Sequence, residues 1–144
     1  MIVAQLLKSK GREGAVTITP DARVGEAAQL LSEKKIGAVV VSEDGVTAKG
    51  ILSERDICRG VARKGSASLD DTVDSLMTAD IVTCGLETRI EQVMAKMTGG
   101  RFRHVPVVED GKLIGVVSIG DVVKAKMDEL TFEKEALQDM IMGR

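Results

Sequence analysis

The chain has 144 residues, room for one ordinary domain or two small ones, and its 44% hydrophobic content is enough for a core. With no Trp, no Tyr and two Phe, that core must be aliphatic, and the stacking platforms of a single-strand nucleic-acid binder are nearly missing. A formal net charge of −2 without a long basic run speaks against bulk attraction to nucleic acid or an anionic membrane.

The opening "MIVAQLLKSKGREG" has neither the basic start nor the long apolar run of a signal peptide. Residues 1–14 read instead as a lead-in whose "IVAQLLKSK" forms a short helix. A polar-apolar segment, "VTITP", comes next, followed by a helix from about Val24 to Lys35 with Val24, Ala27, Ala28 and Leu31 at helical spacing. "AVVVS" reads as a buried strand, "EDG" as a turn with an αL-tolerant Gly, and "AKGILS" as a second strand. A helix from about Glu54 to Arg63 follows, and then the polar stretch 65–75 reads as a linker.

The same order then returns. "IVTCG" leads in, and a helix from about Arg89 to Thr98 shows Ile90, Val93, Met94 and Met97 on one face. The strands "HVPVV" and "KLIGVVS" flank a second "EDG", and a helix runs from about Ile119 to Met127. Residues 129–144 read as an extra helix with Leu130, Leu137, Met140 and Ile141 near one face. No segment approaches the roughly 20 apolar residues of a transmembrane helix. Cys58 and Cys84, far apart in sequence, read as reduced thiols of a cytoplasmic protein. One His and two scattered Cys give no metal site.

The two halves align. At a shift of 66 residues Val16-Thr17 falls on Val82-Thr83 and "IGAVVVSEDG" on "FRHVPVVEDG". At a shift of 65 "GILSERD" (50–56) falls on "GVVSIGD" (115–121). One nearly constant offset over a whole β-α-β-β-α unit means two copies of one motif, over residues 15–64 and 76–128. A unit of this size has a marginal core alone, so the expected fold is mixed α/β (α+β), with the two copies packed sheet to sheet about a pseudo-two-fold axis and sharing a core.

The duplicated unit, with "GAVVVSEDG…GILSERD" and "RHVPVVEDGKLIGVVSIGD", resembles a cystathionine-β-synthase (CBS) domain pair, or Bateman module, over about residues 15 to 128. The second copy is the closer match; the first departs at Gly37-Ala38, where the second has Arg103-His104. The resemblance implies a free-standing, non-catalytic regulatory module that binds an adenosine ligand such as AMP, ADP, ATP, NAD(H) or S-adenosylmethionine. It also implies a homodimer and a regulated protein partner.

Ser53-x-x-Asp56 and Ser118-x-x-Asp121 each have two readings. One is a helix cap, in which the Ser oxygen accepts a first-turn N–H and the acid sits at the positive helix end. The other is a ligand site: a short carboxylate can accept both hydroxyls of a ribose diol, and a helix N-terminus suits phosphate. The resemblance implies that Asp56 and Asp121 hold ribose and that Ser53 and Ser118 sit near phosphate.

It also places Arg103 and His104 on phosphates, where Arg forks suit the oxygens, against the plainer reading of a solvated strand edge. Gly37 and Ala38 then leave the first copy's pocket less positive, and the second copy is expected to prefer the more highly charged ligand. Thr17 and Thr83 read as ordinary strand threonines or, by resemblance, as contacts to adenine or ribose. Ile18, Val39 and Ile81 would wall the base, and Pro106, expected at an edge or bulge, would be a pocket wall. Arg55 reads as a surface charge. A small nucleotide-processing enzyme is disfavoured by the lack of a Walker-type loop, a metal cluster or an activated nucleophile. Nucleic-acid binding is disfavoured by charge and by the shortage of aromatics.

Overall fold

The computed structural model describes residues 1–11 and 14–143. Arg12 and Glu13 of the expected lead-in, and Arg144 at the end of the expected tail helix, lie outside the described residues.

The first repeat contains β1 (Thr17–Ile18), α2 (Val24–Lys34), β2 (Ala38–Val41), β3 (Gly50–Ser53) and α3 (Glu54–Lys64), after α1 (Val3–Lys10). A 3-10 turn, Gly65–Asp70, and a short α4 (Val73–Leu76) occupy the expected linker. The second repeat contains α5 (Ile90–Gly100), β4 (His104–Glu109), β5 (Lys112–Ser118) and α6 (Ile119–Ile141). β1 pairs parallel with β2, and β2 antiparallel with β3. β4 and β5 form a second, antiparallel pair. Among the described residues no helix is long and apolar enough to cross a membrane.

Three departures from the sequence reading have local causes. The lead-in strand expected at "IVTCG" shrinks to one parallel bridge, Cys84 to Val107. In the first repeat Val40 N and Ser42 N donate to Val16 O and Ile18 O. Only the second of these has a counterpart, Val108 N to Cys84 O at 2.8 Å. Pro106 stands where Val40 stands in the first repeat and has no N–H to give to Val82, so the ladder stops there. A bulge follows it, between Val107 and Val108.

The turns also differ. In the second repeat Asp110 and Gly111 both have positive φ, 51° and 77°, which suits a two-residue hairpin. In the first, Asp44 Oδ1 accepts the N–H groups of Val46 and Thr47 and holds a wider loop. Finally, the helix after Ser118 does not end at Met127; α6 runs on for 23 residues, since no Gly or Pro interrupts it after Gly120.

The leading segments are exchanged between repeats. Val3 N and Ala4 N donate to Thr88 O and Leu86 O, so α1 caps the second repeat. Val73 N and Asp74 N donate to Ala22 O and Pro20 O, so α4 caps the first. The buried apolar residues accordingly form two clusters, and the shared core expected from sequence is instead one core per repeat. One joins Val3 and Leu6 to Ile90, Val93, Val105, Val117 and Val122. The other joins Val73 to Ala27, Leu31, Val39, Val41 and Leu52. Each small core is completed by chain that belongs, in sequence order, before the other repeat, which makes the two repeats mutually dependent.

Candidate functional site

A cleft of about 550 Å³ opens between the repeats. The first repeat contributes Gly37, Ile51 and the start of α3: Ser53, Glu54, Arg55, Asp56 and Arg59. The second contributes Gly100 to His104 and Pro106. The remaining wall is Thr78, which bridges Ile51, with Asp80, Ile81 and Val82, the last of which Pro106 leaves without a ladder hydrogen bond.

The α3 N-terminus is a complete capping box. Ser53 N donates to Asp56 Oδ2 at 2.9 Å, Ser53 Oγ donates to the same oxygen at 3.1 Å, and Asp56 N donates to Ser53 Oγ at 3.3 Å. Oδ2 is thus committed to the cap. Oδ1 lies 4.0 Å from Arg59 Nη1. The carboxylate therefore caps the helix with one oxygen and has lone-pair capacity on the other, beside a cation.

Arg55, Arg59, Arg101 and Arg103 all line the cleft, against the acids Glu54, Asp56 and Asp80. His104 stands where the repeats meet: a Cβ on Gly37 would come 3.1 Å from its Nε2. Burial lowers the His104 pKa below its ordinary value, although Glu54 and Asp121 pull it upward. The imidazole is therefore neutral near pH 7, and the cleft's positive charge comes from arginines.

The second capping box has the same form, with Ser118 N to Asp121 Oδ2 at 2.9 Å and Asp121 N to Ser118 Oγ at 3.1 Å. Its carboxylate is already engaged: Lys10 Nζ lies 2.7 Å from Asp121 Oδ2 and donates to Val116 O at 2.9 Å. Burial raises the Asp121 pKa, but the hydrogen bonds from Lys10 and the Ser118 N–H outweigh it, and the net shift is downward.

Of the residues singled out in the sequence, Gly37, Ser53, Asp56, Ile81, Arg103, His104 and Pro106 meet in this cleft. Thr17, Ala38, Val39, Thr83, Ser118 and Asp121 are not among its lining residues. Val39 is fully buried in the first core, and Ala38 is 6% exposed. Thr17 pairs with Val40 in the sheet, and Thr83 O accepts Lys96 Nζ.

Arg103 and His104 line the cleft that holds Ser53 and Asp56, while His104 also pairs with Ser118 across β4 and β5 and Arg103 O accepts Ile119 N, so their charge is not confined to one Ser-x-x-Asp box. Docking about the pseudo-two-fold axis brings the start of β4 against Gly37, and residue spacing within one repeat carries no trace of that. Sequence reasoning left Arg55 on the surface and passed over Arg59, Thr78, Asp80 and Lys10. Arg59 had a signal, since it lies three residues after Asp56 on one helix face.

A family model for the CBS domain matches residues 11–63 and again 73–128. The CBS domain-containing protein CBSX3, mitochondrial, of Arabidopsis thaliana is 35% identical over 148 aligned positions, covering 98% of this chain and 72% of that protein. The crystal structure of the CBS-domain containing protein ATU1752 from Agrobacterium tumefaciens superposes with a TM-score of 0.83 at 49% identity, over 88% of this chain and 99% of that one. The CBS domain protein PAE2072 from Pyrobaculum aerophilum, solved in complex with AMP, gives a TM-score of 0.74 at 27% identity, over 84% and 89% of the two chains. With both motifs matched and the fold shared, this chain belongs to the CBS domain family and carries a tandem pair of CBS motifs.

Proposed function

We propose that the cleft binds an adenosine nucleotide (AMP, ADP, ATP or NAD(H)) and that the chain is a non-catalytic sensor of it. The observation that carries this reading is the Asp56 carboxylate at a helix N-terminus, with Oδ2 held by the cap and Oδ1 beside Arg59, in a cleft lined by four arginines. A vicinal diol donates to such a carboxylate, and the guanidinium forks and helix N-terminal N–H groups donate to phosphate oxygens. Ile51, Ile81, Val82 and Pro106 give the base apolar walls. The AMP complex of the Pyrobaculum aerophilum relative supports the ligand class.

The test is a cycle of wild type and Asp56→Asn against AMP and 2′-deoxy-AMP. Hydrogen bonds to a charged acceptor are worth about 1.5–3 kcal/mol. Asp56→Asn should therefore weaken AMP by roughly ten- to a hundredfold and barely alter 2′-deoxy-AMP. Equal losses for both ligands would reduce Asp56 to a cap, worth roughly 0.3–1 kcal/mol of stability.

The sensor acts as a homodimer in this reading. Val123, Met127, Leu130, Leu137 and Ile141 form an exposed stripe on α6, at the alternating spacing of four and three that a helix partner fits, with Lys134 as its one polar position. A two-fold axis would set this stripe against itself, so a second copy is its partner. Light scattering at micromolar concentration should return twice the chain mass; a strict monomer removes the dimer and leaves the ligand cleft untouched.

A further inference from the structure

The leading segments α1 and α4 match at a shift of 70 residues: Val3 with Val73, and Leu7 on Gly115 with Met77 on Gly50. The same shift sets Lys10 against Asp80. After this point the two segments do different things. Thr78 forms a backbone bridge with Ile51, with both N···O distances 2.9 Å, and Asp80 lines the cleft beyond it. α1 stays helical through Lys10, and the carbonyl equivalent to Ile51 O, Val116 O, receives the Lys10 ammonium. That ammonium also lies 2.7 Å from Asp121 Oδ2. In the first repeat, the ion pair at Asp56 is with Arg59, whose Nη1 lies 4.0 Å from Oδ1.

We infer that Lys10 is the residue that makes the two Ser-x-x-Asp sites unequal: its ammonium sits on the cap oxygen of Asp121, Oδ2, and neutralises the carboxylate that a ribose diol would use through Oδ1. This rests on the adenosine reading of the first cleft. A vicinal diol and an ammonium are both donors to one carboxylate, and a carboxylate whose charge is already met by an ammonium is the poorer acceptor for the diol. A ligand entering beside Asp121 meets a carboxylate already paired to an ammonium at 2.7 Å, whereas one entering beside Asp56 meets a guanidinium no nearer than 4.0 Å. Lys10 thus acts as an intramolecular occupant of the second site, and one chain carries a strong and a weak adenosine site.

The experiment is calorimetric titration of the full chain with AMP, in wild type, Lys10→Met, Asp56→Asn and the double variant Lys10→Met/Asp56→Asn. Lys10→Arg serves as the conservative control, and circular dichroism checks the fold of each protein. The Asp56→Asn background weakens the first cleft, so that a change at the second is read against a reduced first step. There, Lys10→Met should tighten AMP by about two- to fivefold, the worth of a partly exposed pair. In the Asp56 protein it should leave the stronger step unchanged. Lys10→Arg should behave as wild type.

An unchanged or weaker affinity in the double variant, relative to Asp56→Asn, overturns the inference; a weaker one would make Lys10 a phosphate ligand. AMP silent in all of the proteins overturns the adenosine reading and the inference together. AMP bound by wild type, with Lys10→Met having no effect in the Asp56→Asn background, overturns the inference alone.

Discussion

The two repeats present the same Ser-x-x-Asp box on the same β-strand-to-helix turn, yet their surroundings are opposite. Beside Asp56 there is a cleft lined by arginines; beside Asp121 there is a lysine ammonium at 2.7 Å. The boxes themselves do not cause the difference, since their cap hydrogen bonds agree closely. It comes from what lies across from each. Pro106 withholds one ladder hydrogen bond and leaves Ile81 and Val82 to wall the first cleft. Val40, its counterpart, keeps that hydrogen bond with Val16 O at 3.1 Å. Duplication gives two Ser-x-x-Asp boxes, and residues outside the motif make their surroundings differ.

The sharpest mutational contrast uses a matched pair of glycines. Gly50 and Gly115 occupy equivalent strand positions, each under a leading segment. A Cβ on Gly50 would meet Met77 Sδ at 2.6 Å and the Thr78 carbonyl oxygen at 2.9 Å, the latter backbone held in the bridge to Ile51. A Cβ on Gly115 would meet the Leu7 side chain at 3.1 Å. Leu7 can turn; the Thr78 carbonyl cannot without breaking its bridge. Gly50→Ala should therefore cost about 1–3 kcal/mol in urea unfolding, and Gly115→Ala less than about 1 kcal/mol. Equal costs would show that the two leading segments yield alike, and the structural contrast between them would lose its energetic meaning.

A smaller effect distinguishes His104 from Ala38, its counterpart at the start of β2. Burial lowers the His104 pKa, so the unfolded chain takes up a proton that the folded chain resists. Its stabilising contribution is complete above the unfolded value of about 6.5 and falls away as pH drops toward the folded value. The slope from one such group is at most about 1.4 kcal/mol per pH unit. His104→Asn should flatten the loss of stability between about pH 7 and 5.5, before the carboxylates titrate. If the variant and wild type lose stability in parallel over that range, His104 does not control it.

Much of this was legible in sequence because the signals are short-range. A capping box closes over three residues, an αL turn over one or two, and an amphipathic face over two turns. Ser53 with Asp56, Ser118 with Asp121, Gly45 and Gly111 could therefore be placed by spacing alone. The repeat followed too, since one offset holds wherever both copies keep the same local structure. Pro106 carried more information than its reading as a pocket wall. Its missing N–H predicts the loss of the lead-in ladder, once the partner of that strand position is known.

Only the tertiary structure decided which parts meet. Arg103 and His104 border Ser118 and Ile119 across the β4–β5 pair, and docking of the repeats also puts them in the cleft of Ser53 and Asp56. Lys10 and Asp121 are 111 positions apart and form an ion pair. α1 and α4 each complete the core that lies farther along or farther back in the chain. Such pairings are set by how two small sheets and their exchanged helices dock, and docking depends on the fit of whole apolar faces. Both repeats have nearly the same faces, so the sequence alone left the choice between a segment's own repeat and its neighbour undetermined; the fit of Val3 and Leu6 against the α5 and β4 side chains settled it.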